Sequence, residues 1–323
     1  MPIIRVALNV PVDTLFDYQS NDATQLDIGL RACVPFGKKR VTGIIIAVGS
    51  ETRISVEKLK SAHCIFREIE PLPAALLDLF HFCSQYYHHP LGLVIMNGLP
   101  VKLRGNKPVK LKESSNNVQF SLTEAGKQID LSSIPARQRV ARRLFTELHH
   151  TTALSNLQAK EISPRASKLL QEWIQLKWVS AMPIPTPATT KAVKIPSLTT
   201  EQEIAVSAIT TDIKQFNTWL LHGVTGSGKT EVYLRIIEHV LAHGKQALIL
   251  IPEISLTPQL ETVFRARFPT THLVSLHSGL NDTERLTGWL QAQRGQAKII
   301  LGTRLAVFTP LPDLGLVIVD EEQ

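Results

Sequence analysis

The pattern of apolar and polar residues divides the chain into segments of different secondary structure. The first hundred residues contain three runs rich in β-branched residues, separated by glycine and proline turn signals: IIRVALNV, LRACVPFG and VTGIIIAVGS. These runs predict a small β barrel or sandwich. A helix should follow, because apolar residues recur at helical spacing at Leu76, Leu79, Phe80 and Cys83, before Pro90.

Residues 101–182 combine a basic stretch with three short helical patterns. Five lysines and arginines fall within positions 102–112, before a Ser/Asn patch, and this segment is interpreted as a linker or a basic pair of strands. The helical patterns lie in SLTEAGKQI, IPARQRVARRLFTELHH and SPRASKLLQEWIQLKWV, the last with one face formed by Leu169, Leu170, Trp173 and Leu176. Three short helices and an extended segment predict a winged helix-turn-helix, which would either enter a DNA groove or act as a protein-contact spacer.

From residue 198 onward, short apolar runs alternate with amphipathic segments. A proline-rich connector, residues 183–197, precedes them and marks the main domain boundary. The runs TWLLH, QALILI, HLVSL, AKIIL and GLVIVD predict buried parallel strands, with helices such as EVYLRIIEHVLAHGK between them. The sequence therefore predicts a multi-domain chain, with a β-rich domain at 1–100, a winged-helix domain at 101–182, a linker and an α/β lobe at 198–323.

Composition excludes several classes of protein. The chain has 323 residues, of which 44% are hydrophobic and 20% charged, as in globular proteins. No apolar run is long enough to cross a bilayer and no secretory signal is apparent, so we expect a cytoplasmic protein without a membrane partner. Cys33, Cys64 and Cys83 form no CxxC pair, which argues against a disulfide framework or a thiolate metal site. We expect these thiols to be buried and reduced.

Charge is distributed unevenly along the chain. Residues 1–196 carry 25 lysines and arginines against 15 acidic residues, whereas residues 197–323 carry 10 against 13, within a net charge of +7. A partner made of phosphates is the simplest reason to concentrate positive charge in one part of a chain, although solubility alone is an alternative. The N-terminal part is therefore predicted to contact nucleic acid.

The segment GVTGSGKT fits the GxxxxGK[ST] pattern of a phosphate-binding loop. It lies between the predicted strand TWLLH and a predicted helix whose apolar stripe is Val232, Ile236 and Val240. Small residues let the backbone wrap a triphosphate, and the helix N-terminus supplies positive potential. Lys229 would meet the β and γ phosphates, and Thr230 would place its hydroxyl on Mg²⁺. The predicted nucleotide-binding residues are Gly223, Val224, Thr225, Gly226, Ser227, Gly228, Lys229 and Thr230.

Two acidic residues follow the last predicted strand, at the edge where open α/β sheets bind their ligands. Asp320 would hold Mg²⁺ through water, and Glu321 would polarise the attacking water as a general base. Lys229, Asp320 and Glu321 therefore form the predicted catalytic set. ATP and Mg²⁺ are the predicted cofactors, with Thr230 and Asp320 as metal ligands.

Motifs along the lobe resemble a known family. LTTEQ, GVTGSGKTEVY, LILIPEISLTPQ, LHSGLNDTERLTGWL, ILGTRLAVFTP and VDEEQ occur in the order of the helicase motifs of the bacterial replication-restart helicases of superfamily 2. FDY, VPFG and YYHHPLG resemble the N-terminal domain of the same family. The resemblance implies a RecA-like lobe and an ATP-dependent 3′-to-5′ DNA helicase that assembles the primosome at stalled forks. The implied partners are forked and single-stranded DNA, single-strand-binding protein and other primosome proteins, with a nucleoid-associated location.

The resemblance also implies roles for individual residues. Gln202 should recognise adenine, and residues 252–259 and 302–304 should follow single-stranded DNA, with Arg304 on a phosphate. The N-terminal domain should capture the 3′ end of the nascent strand in a pocket that we call the DNA-end pocket: Phe16, Asp17, Tyr18, Gly37 and Lys60. An aromatic ring would stack on the terminal base, the carboxylate would accept the 3′-hydroxyl proton, and the lysine would meet a phosphate. Without the resemblance, Phe16 and Tyr18 would be interpreted as strand residues facing a core.

Two features depart from the family pattern. Gln323 stands where the family usually has histidine, which puts the coupling of ATP to DNA in question. The sequence stops before the second lobe with its arginine fingers, and zinc is expected only in the cysteine-rich element of that missing part. We therefore expect nucleotide and DNA binding with little hydrolysis, and an exposed, aggregation-prone edge at the last strand. The alternatives to a helicase are a fork-DNA binding fragment that binds nucleotide without unwinding, and a restriction-type or RNA translocase with the same lobe.

Overall fold

Three β-sheets organise the described part of the chain. The computed structural model describes residues 1–52, 54–55, 58–109, 118–151, 153–155, 158–159, 162–163, 166–183, 196–211, 215–224, 226–252 and 258–320. The chain divides into two compact units, one formed by residues 1–109 with 192–323 and the other by residues 110–191. None of the described helices is long and apolar enough to span a bilayer.

The N-terminal sheet is antiparallel. Its strands are β1 (Ile3–Leu8), β2 (Phe16–Gln19), β3 (Arg31–Phe36), β4 (Lys39–Gly49) and β5 (Cys64–Phe66), in the order β2-β1-β4-β3-β5, with a 3₁₀ helix at Gln25–Asp27. The β-branched runs found in the sequence form β1, β3 and β4, so the predicted β-rich domain is confirmed. Alternate side chains of these strands, such as Ile4, Val6 and Val34, meet in a core that is closed to solvent.

Two helices and a 3₁₀ turn pack on the other side of this sheet. They are α1 (Ala74–Tyr86), α2 (Leu91–Gly98) and the 3₁₀ helix Val101–Arg104. The predicted helix is confirmed, with Phe80 fully buried at its centre, whereas α2 was not predicted. The basic segment 101–119 begins with the 3₁₀ helix, and the central part of that segment, residues 110–117, lies outside the described residues.

The second unit contains a small antiparallel sheet and short helices. Its elements are β6 (Val118–Leu122), α3 (Glu124–Lys127), a 3₁₀ helix (Leu131–Ser133), α4 (Arg139–His150), β7 (Leu154–Ser155), α5 (Ala166–Gln175) and β8 (Val179–Pro183), with strand order β7-β6-β8. Phe145, Leu170 and Trp173 form the core of the unit, with Leu169 partly buried against it. Leu176 was expected on the same face, but it lies beyond the end of α5 and is 56% exposed.

Pro183, the first residue of the predicted connector, belongs to a strand. Ala181, Met182 and Pro183 extend β8 and pair with β6 in antiparallel register. The reason is that a strand can accept proline at its end on a sheet edge, where no ladder donor is required. The remaining prolines of the connector, apart from Pro196, lie outside the described residues.

The C-terminal lobe is built on a parallel sheet. Its elements are α6 (Thr200–Thr211), α7 (Lys229–Ala242), β9 (Gln246–Leu250), α8 (Pro258–Arg267), β10 (Leu273–Leu276), α9 (Asp282–Gln293), β11 (Ile299–Gly302), a 3₁₀ helix (Arg304–Phe308) and β12 (Leu314–Val319). The strand order is β10-β11-β9-β12. The predicted parallel sheet is confirmed, and the stripe of Val232, Ile236 and Val240 on α7 is buried as expected.

One predicted strand is absent from this sheet. Residues 218–222, TWLLH, form no ladder with any described strand, and Trp219 and Leu220 are 51% and 85% exposed. A strand is stable only where another strand satisfies its backbone groups, and the described residues provide no such partner for this segment. Among the described strands, β12 lies at one edge of the sheet, and its side chains Val317 and Val319 are exposed. Its expected tendency to aggregate remains a prediction.

The β-rich domain and the parallel lobe share a hydrophobic core. Trp289 and Leu290 of α9 are buried in the same cluster as Phe80 and Leu99 of the N-terminal domain. The ring of Phe308, at the end of a 3₁₀ helix in the lobe, stacks on Phe80 with 5.0 Å between ring centroids. The helix α9 and the 3₁₀ helix Arg304–Phe308 of the lobe therefore complete a core that they share with the helices of the N-terminal domain.

Polar contacts flank this shared core. The amide Nε2 of Gln293 donates to the carbonyl oxygens of Glu70 and Pro71 at 3.1 and 3.3 Å, and Lys102 donates to the hydroxyl of Thr283. Because backbone carbonyls have fixed directions, these bonds define how α9 is oriented against the N-terminal domain.

The three cysteines differ from expectation in their exposure. Cys33 is buried and Cys83 is partly buried, but Cys64 is exposed at the end of the short strand β5. All three are free thiols, as expected, but the prediction of general burial is wrong for Cys64 because β5 is an edge strand.

The shared core predicts a large effect of substituting Trp289. Trp289→Ala should lower the free energy of unfolding by about 3–5 kcal/mol, because it removes a large buried side chain between two domains. Trp219→Ala, at an exposed position, should change it by less than about 0.5 kcal/mol. Urea denaturation followed by far-UV circular dichroism measures both. Equal losses for the two variants would contradict a shared core.

Candidate nucleotide-binding and DNA-binding sites

The phosphate-binding loop turns at two glycines before α7. Gly226 and Gly228 have φ angles of +81° and +83°, a region that favours glycine. A Cβ atom on Gly228 would also lie 2.5 Å from Nε2 of Gln202. Gly228 is the N-cap of α7, so the loop leads directly into the positive end of the helix dipole. Thr225 lies outside the described residues.

Lys229 is the first residue of α7, and its ammonium group lies over the loop. Nζ donates to the carbonyl oxygen of Gly223 at 2.6 Å and lies 3.4 Å from that of Val224. The side chain thus returns across the concave face of the loop, where a phosphate group would displace these carbonyl contacts. The next residue, Thr230, is exposed at the same helix end.

Gln202 fastens α6 to this loop. Its Nε2 donates to the carbonyl oxygen of Ser227 at 3.0 Å, and its Oε1 accepts from the backbone N–H of Thr199 at 2.9 Å. The side chain predicted to recognise a base therefore lies beside the phosphate loop.

Asp320 follows β12 and is positioned by a tyrosine from α7. The hydroxyl of Tyr233 donates to Oδ1 of Asp320 at 3.1 Å, and the Asp320 backbone N–H donates to the carbonyl of Leu250 at 2.9 Å. Burial, with the neighbouring carboxylate as a second cause, raises the pKa of Tyr233 to about 12, so its hydroxyl stays protonated at neutral pH. Glu321 and Gln323 lie outside the described residues.

Tyr233 was missed by the sequence interpretation, although a signal existed. It lies four residues after Lys229, so both side chains share one face of α7. The pairing of that face with the end of β12 depends on the sheet order, which the sequence does not state.

One of the two segments predicted to follow single-stranded DNA, residues 302–304, lies at the end of β11. Arg304 is exposed directly after β11, while Thr303 is buried and its N–H donates to the carbonyl of Leu276. Arg285, which was not predicted, donates to the carbonyls of His277 and Ser278 and so holds the loop before α9. Most of the other predicted segment, residues 252–259, lies outside the described residues.

The aromatic members of the DNA-end pocket occupy different environments. Phe16 is half-buried and meets Phe36 edge-on, with ring centroids 5.4 Å apart. Tyr18 is 4% exposed, and its hydroxyl donates to the carbonyl of Pro35 at 3.1 Å. Burial raises the pKa of Tyr18. The side chain of Tyr18 therefore faces the core, as the residues alone had indicated. Its hydroxyl holds the end of β3, just before the turn, through the bond to Pro35.

Gly37 and Lys60, two other members of the DNA-end pocket, lie on segments next to β2. Gly37 has a φ angle of +58° in the turn between β3 and β4, and a Cβ atom at this position would meet no other atom within 4 Å. Lys60 is exposed, and its carbonyl accepts from the N–H of Gln19 at 2.9 Å. The structure thus connects the β2 segment with the turn at Gly37 through Tyr18 and with the segment at Lys60 through Gln19.

Asp17 carries the carboxylate of this pocket and is bound on both oxygens. Nε of Arg5 lies 3.3 Å from Oδ1, and the hydroxyl of Thr52 donates to Oδ2 at 2.6 Å. The Asp17 side chain is only 11% exposed. Neither Arg5 nor Thr52 was singled out from the sequence, because the contacts depend on the pairing of β1 with β2 and on the path after β4.

Comparison with known proteins finds matches for both the N-terminal domain and the C-terminal lobe. Residues 5–100 match the model of the PriA 3′ DNA-binding domain, and residues 199–323 match that of the DEAD/DEAH box helicase. The replication restart protein PriA of Haemophilus influenzae is 37% identical over the whole chain, which covers 44% of that protein. The chain belongs to the PriA family.

Other members of the PriA family agree. The replication restart protein PriA of Chlamydia trachomatis is 35% identical over 83% of this chain and 37% of its own length. That of Bacillus subtilis is 48% identical over 39% of this chain and 16% of its own length. The chain thus spans less than half the length of these PriA relatives.

A DEAD/DEAH helicase domain in a PriA-family chain implies the use of a nucleotide and Mg²⁺ in general, and the described residues fit both. The loop at Gly226 and Gly228 presents the N-terminus of α7 to a phosphate chain, and Lys229 supplies a full positive charge. Asp320 offers a hard oxygen ligand on the neighbouring strand end, as Mg²⁺ prefers.

The Tyr233–Asp320 contact predicts a metal-dependent effect. Tyr233→Phe should reduce the Mg²⁺-dependent gain in nucleotide affinity about tenfold, because the Asp320 carboxylate loses a hydrogen bond worth roughly 1.5 kcal/mol. Titration of a fluorescent ATP analogue with Mg²⁺ or with EDTA measures this gain. Tyr87→Phe, at an exposed position, is the matched control. An unchanged gain in Tyr233→Phe would show that the hydroxyl does not position Asp320.

Proposed function

We propose that this chain provides the DNA-end-binding and ATP-binding parts of a 3′-to-5′ DNA helicase that acts at forked DNA during replication restart. The observation that carries this proposal is one compact unit that contains both arrangements: a glycine loop leading into α7, whose Tyr233 donates to Asp320, and an Asp17 carboxylate held by Arg5 and Thr52. The curated relatives, named as replication restart proteins, support the biological setting.

The nucleotide half of the proposal assigns a role to each side chain. Gln202 would recognise adenine, and the loop from Gly223 to Lys229 would hold the phosphates. Mg²⁺, when bound, would neutralise phosphate charge beside Thr230 and Asp320, and Glu321 would take a proton from the attacking water.

Nucleotide binding and DNA contact would both use the edge of the parallel sheet at which its strands end. The carboxyl ends of β9 and β12 lie beside the nucleotide residues, while those of β10 and β11 lead into the segments at His277 and Arg304. Parallel strands bring their carboxyl ends to one side, where ligands of open α/β sheets bind. A change at Asp320, after β12, would therefore reach Arg304, after β11, across the single intervening strand β9.

In the DNA-end pocket, Phe16 would stack on the terminal base and Asp17 would accept the proton of the 3′-hydroxyl. Gly37 would allow the backbone to approach the strand closely, and Lys60 would meet the adjacent phosphate. Tyr18 would contribute by holding the turn at Pro35.

The second unit is proposed to be a winged helix. Its short helices lie in the chain between the paired strands β6 and β8, an arrangement that supports this assignment. It would contact duplex DNA or serve as a spacer for protein contacts. Single-strand-binding protein and other primosome proteins are the proposed partners, in the nucleoid.

The end pocket predicts a preference for the chemistry of the 3′ end. A fork whose leading strand ends in a 3′-hydroxyl should bind about three- to tenfold more tightly than one ending in a 3′-phosphate, because a phosphate repels the Asp17 carboxylate. Asp17→Asn should remove most of this preference, whereas Asp78→Asn, on the exposed face of α1, should retain it. Fluorescence anisotropy measures the affinities. Equal affinities for both ends in the native chain would refute end capture.

The phosphate loop predicts nucleotide binding that depends on Lys229. Lys229→Ala should weaken binding of Mg-ATP roughly ten- to hundredfold, since a charged donor to the phosphates is lost. Lys245→Ala, at the opposite end of the sheet, should have no effect.

Turnover by this chain tests the alternative, in which the chain is a fork-DNA binding fragment that binds nucleotide without unwinding. We expect turnover at least about 10³-fold below that of a full-length relative, because the arginine fingers belong to the family's second lobe. Robust DNA-stimulated hydrolysis by this chain would contradict this expectation. For the preceding prediction, normal Mg-ATP binding by Lys229→Ala would refute the nucleotide site.

A further inference from the structure

The carboxylate of Asp17 is fixed by two side chains that belong to different segments. Arg5 lies directly opposite Asp17 in the antiparallel register of β1 and β2, and its Nε lies 3.3 Å from Oδ1. Thr52, beyond the end of β4, donates its hydroxyl to Oδ2 at 2.6 Å. Both oxygens of the carboxylate are therefore occupied from the protein side.

Each of these two residues is itself held in place. Nη2 of Arg5 donates to the carbonyl of Glu51 at 3.2 Å, and Oγ1 of Thr52 accepts from the N–H of Ile54 at 3.1 Å. The guanidinium group thus bridges β2 and the segment after β4, and the hydroxyl of Thr52 is oriented toward Asp17 by a backbone donor. A carboxylate held in this way keeps one direction for its remaining lone pairs.

This arrangement matters for the chemistry of a strand end. A 3′-hydroxyl donates one hydrogen bond, whose strength depends on the direction of the acceptor lone pair. Each oxygen of Asp17 retains a second acceptor position, so the two protein contacts orient the carboxylate without blocking it.

We propose that Arg5 and Thr52 are positioning residues that set the selectivity of the DNA-end pocket for a 3′-hydroxyl. This inference rests on the proposed function of the pocket, because it assigns to Arg5 and Thr52 the orientation of the Asp17 acceptor. Neither residue contacts the strand end in this role, and both act through Asp17.

The test compares forks whose leading strand ends in a 3′-hydroxyl or in a 3′-deoxy nucleotide. The ratio of the two dissociation constants, measured by fluorescence anisotropy, reports the hydrogen bond to the 3′-hydroxyl separately from all other DNA contacts. Arg5→Met and Thr52→Val should each reduce this ratio about two- to fivefold, as expected for partly exposed contacts. Arg265→Met, which removes an arginine from a similarly exposed ion pair on α8, should leave the ratio unchanged.

A double-mutant cycle with Asp17→Asn separates positioning from general damage to the domain. If Arg5 acts through Asp17, Arg5→Met should not change the ratio any further when Asp17→Asn is present. A purely structural role would instead weaken binding to both forks equally and leave the ratio intact, which would overturn the inference. Thermal unfolding followed by circular dichroism confirms that each variant is folded.

Failure of this inference differs from failure of the end-capture proposal. If the native chain discriminates between the two ends and Asp17→Asn abolishes that discrimination, while Arg5→Met and Thr52→Val retain it, only the positioning role is refuted. If the native chain shows a ratio of one, end capture is refuted and the positioning role falls with it.

Discussion

Burial of α9 in the N-terminal domain is the constraint on which the larger unit depends. Trp289 and Leu290 belong to the same core as Phe80 and Leu99, and Phe308 stacks on Phe80. The loop held by Arg285 leads into α9, and Arg304 begins the 3₁₀ helix that ends at Phe308. A core of this kind resists small displacements because close-packed side chains have few alternative arrangements. The segments proposed to contact single-stranded DNA are therefore braced by the domain proposed to hold the strand end.

The two candidate sites share one arrangement: in each, a neighbouring side chain donates to a carboxylate and orients it. Tyr233 donates to Asp320 beside the phosphate loop, and Arg5 and Thr52 hold Asp17 in the DNA-end pocket. A rotating carboxylate would lose part of its interaction with a metal-bound water or a hydroxyl group, because these interactions depend on direction. In both sites the donor comes from an element other than the one that carries the acid, so each site forms only when the tertiary fold is complete.

The parallel sheet shows where local pattern and tertiary context disagree. QALILI and GLVIVD form β9 and β12 as their apolar composition predicts, but TWLLH, despite a similar composition, pairs with none of the described strands. Apolar composition states that a segment can be buried, whereas pairing requires a neighbouring strand with free backbone groups. Similarly, Leu176 follows the helical spacing of α5 but lies beyond its end and is exposed.

The sequence by itself determined the parts of this protein that depend on neighbouring residues in the chain. The glycines and Lys229 of the phosphate loop, the stripe on α7 and the β-branched strands of the first domain follow from local spacing and conformational preference. The family resemblance added Gln202 and the residues of the DNA-end pocket. Only the tertiary structure decided that Tyr233 reaches Asp320, that Arg5 lies opposite Asp17, and that α9 completes a core begun by α1. These contacts join residues far apart in the chain, and strand order and register, which a local pattern does not encode, bring them together.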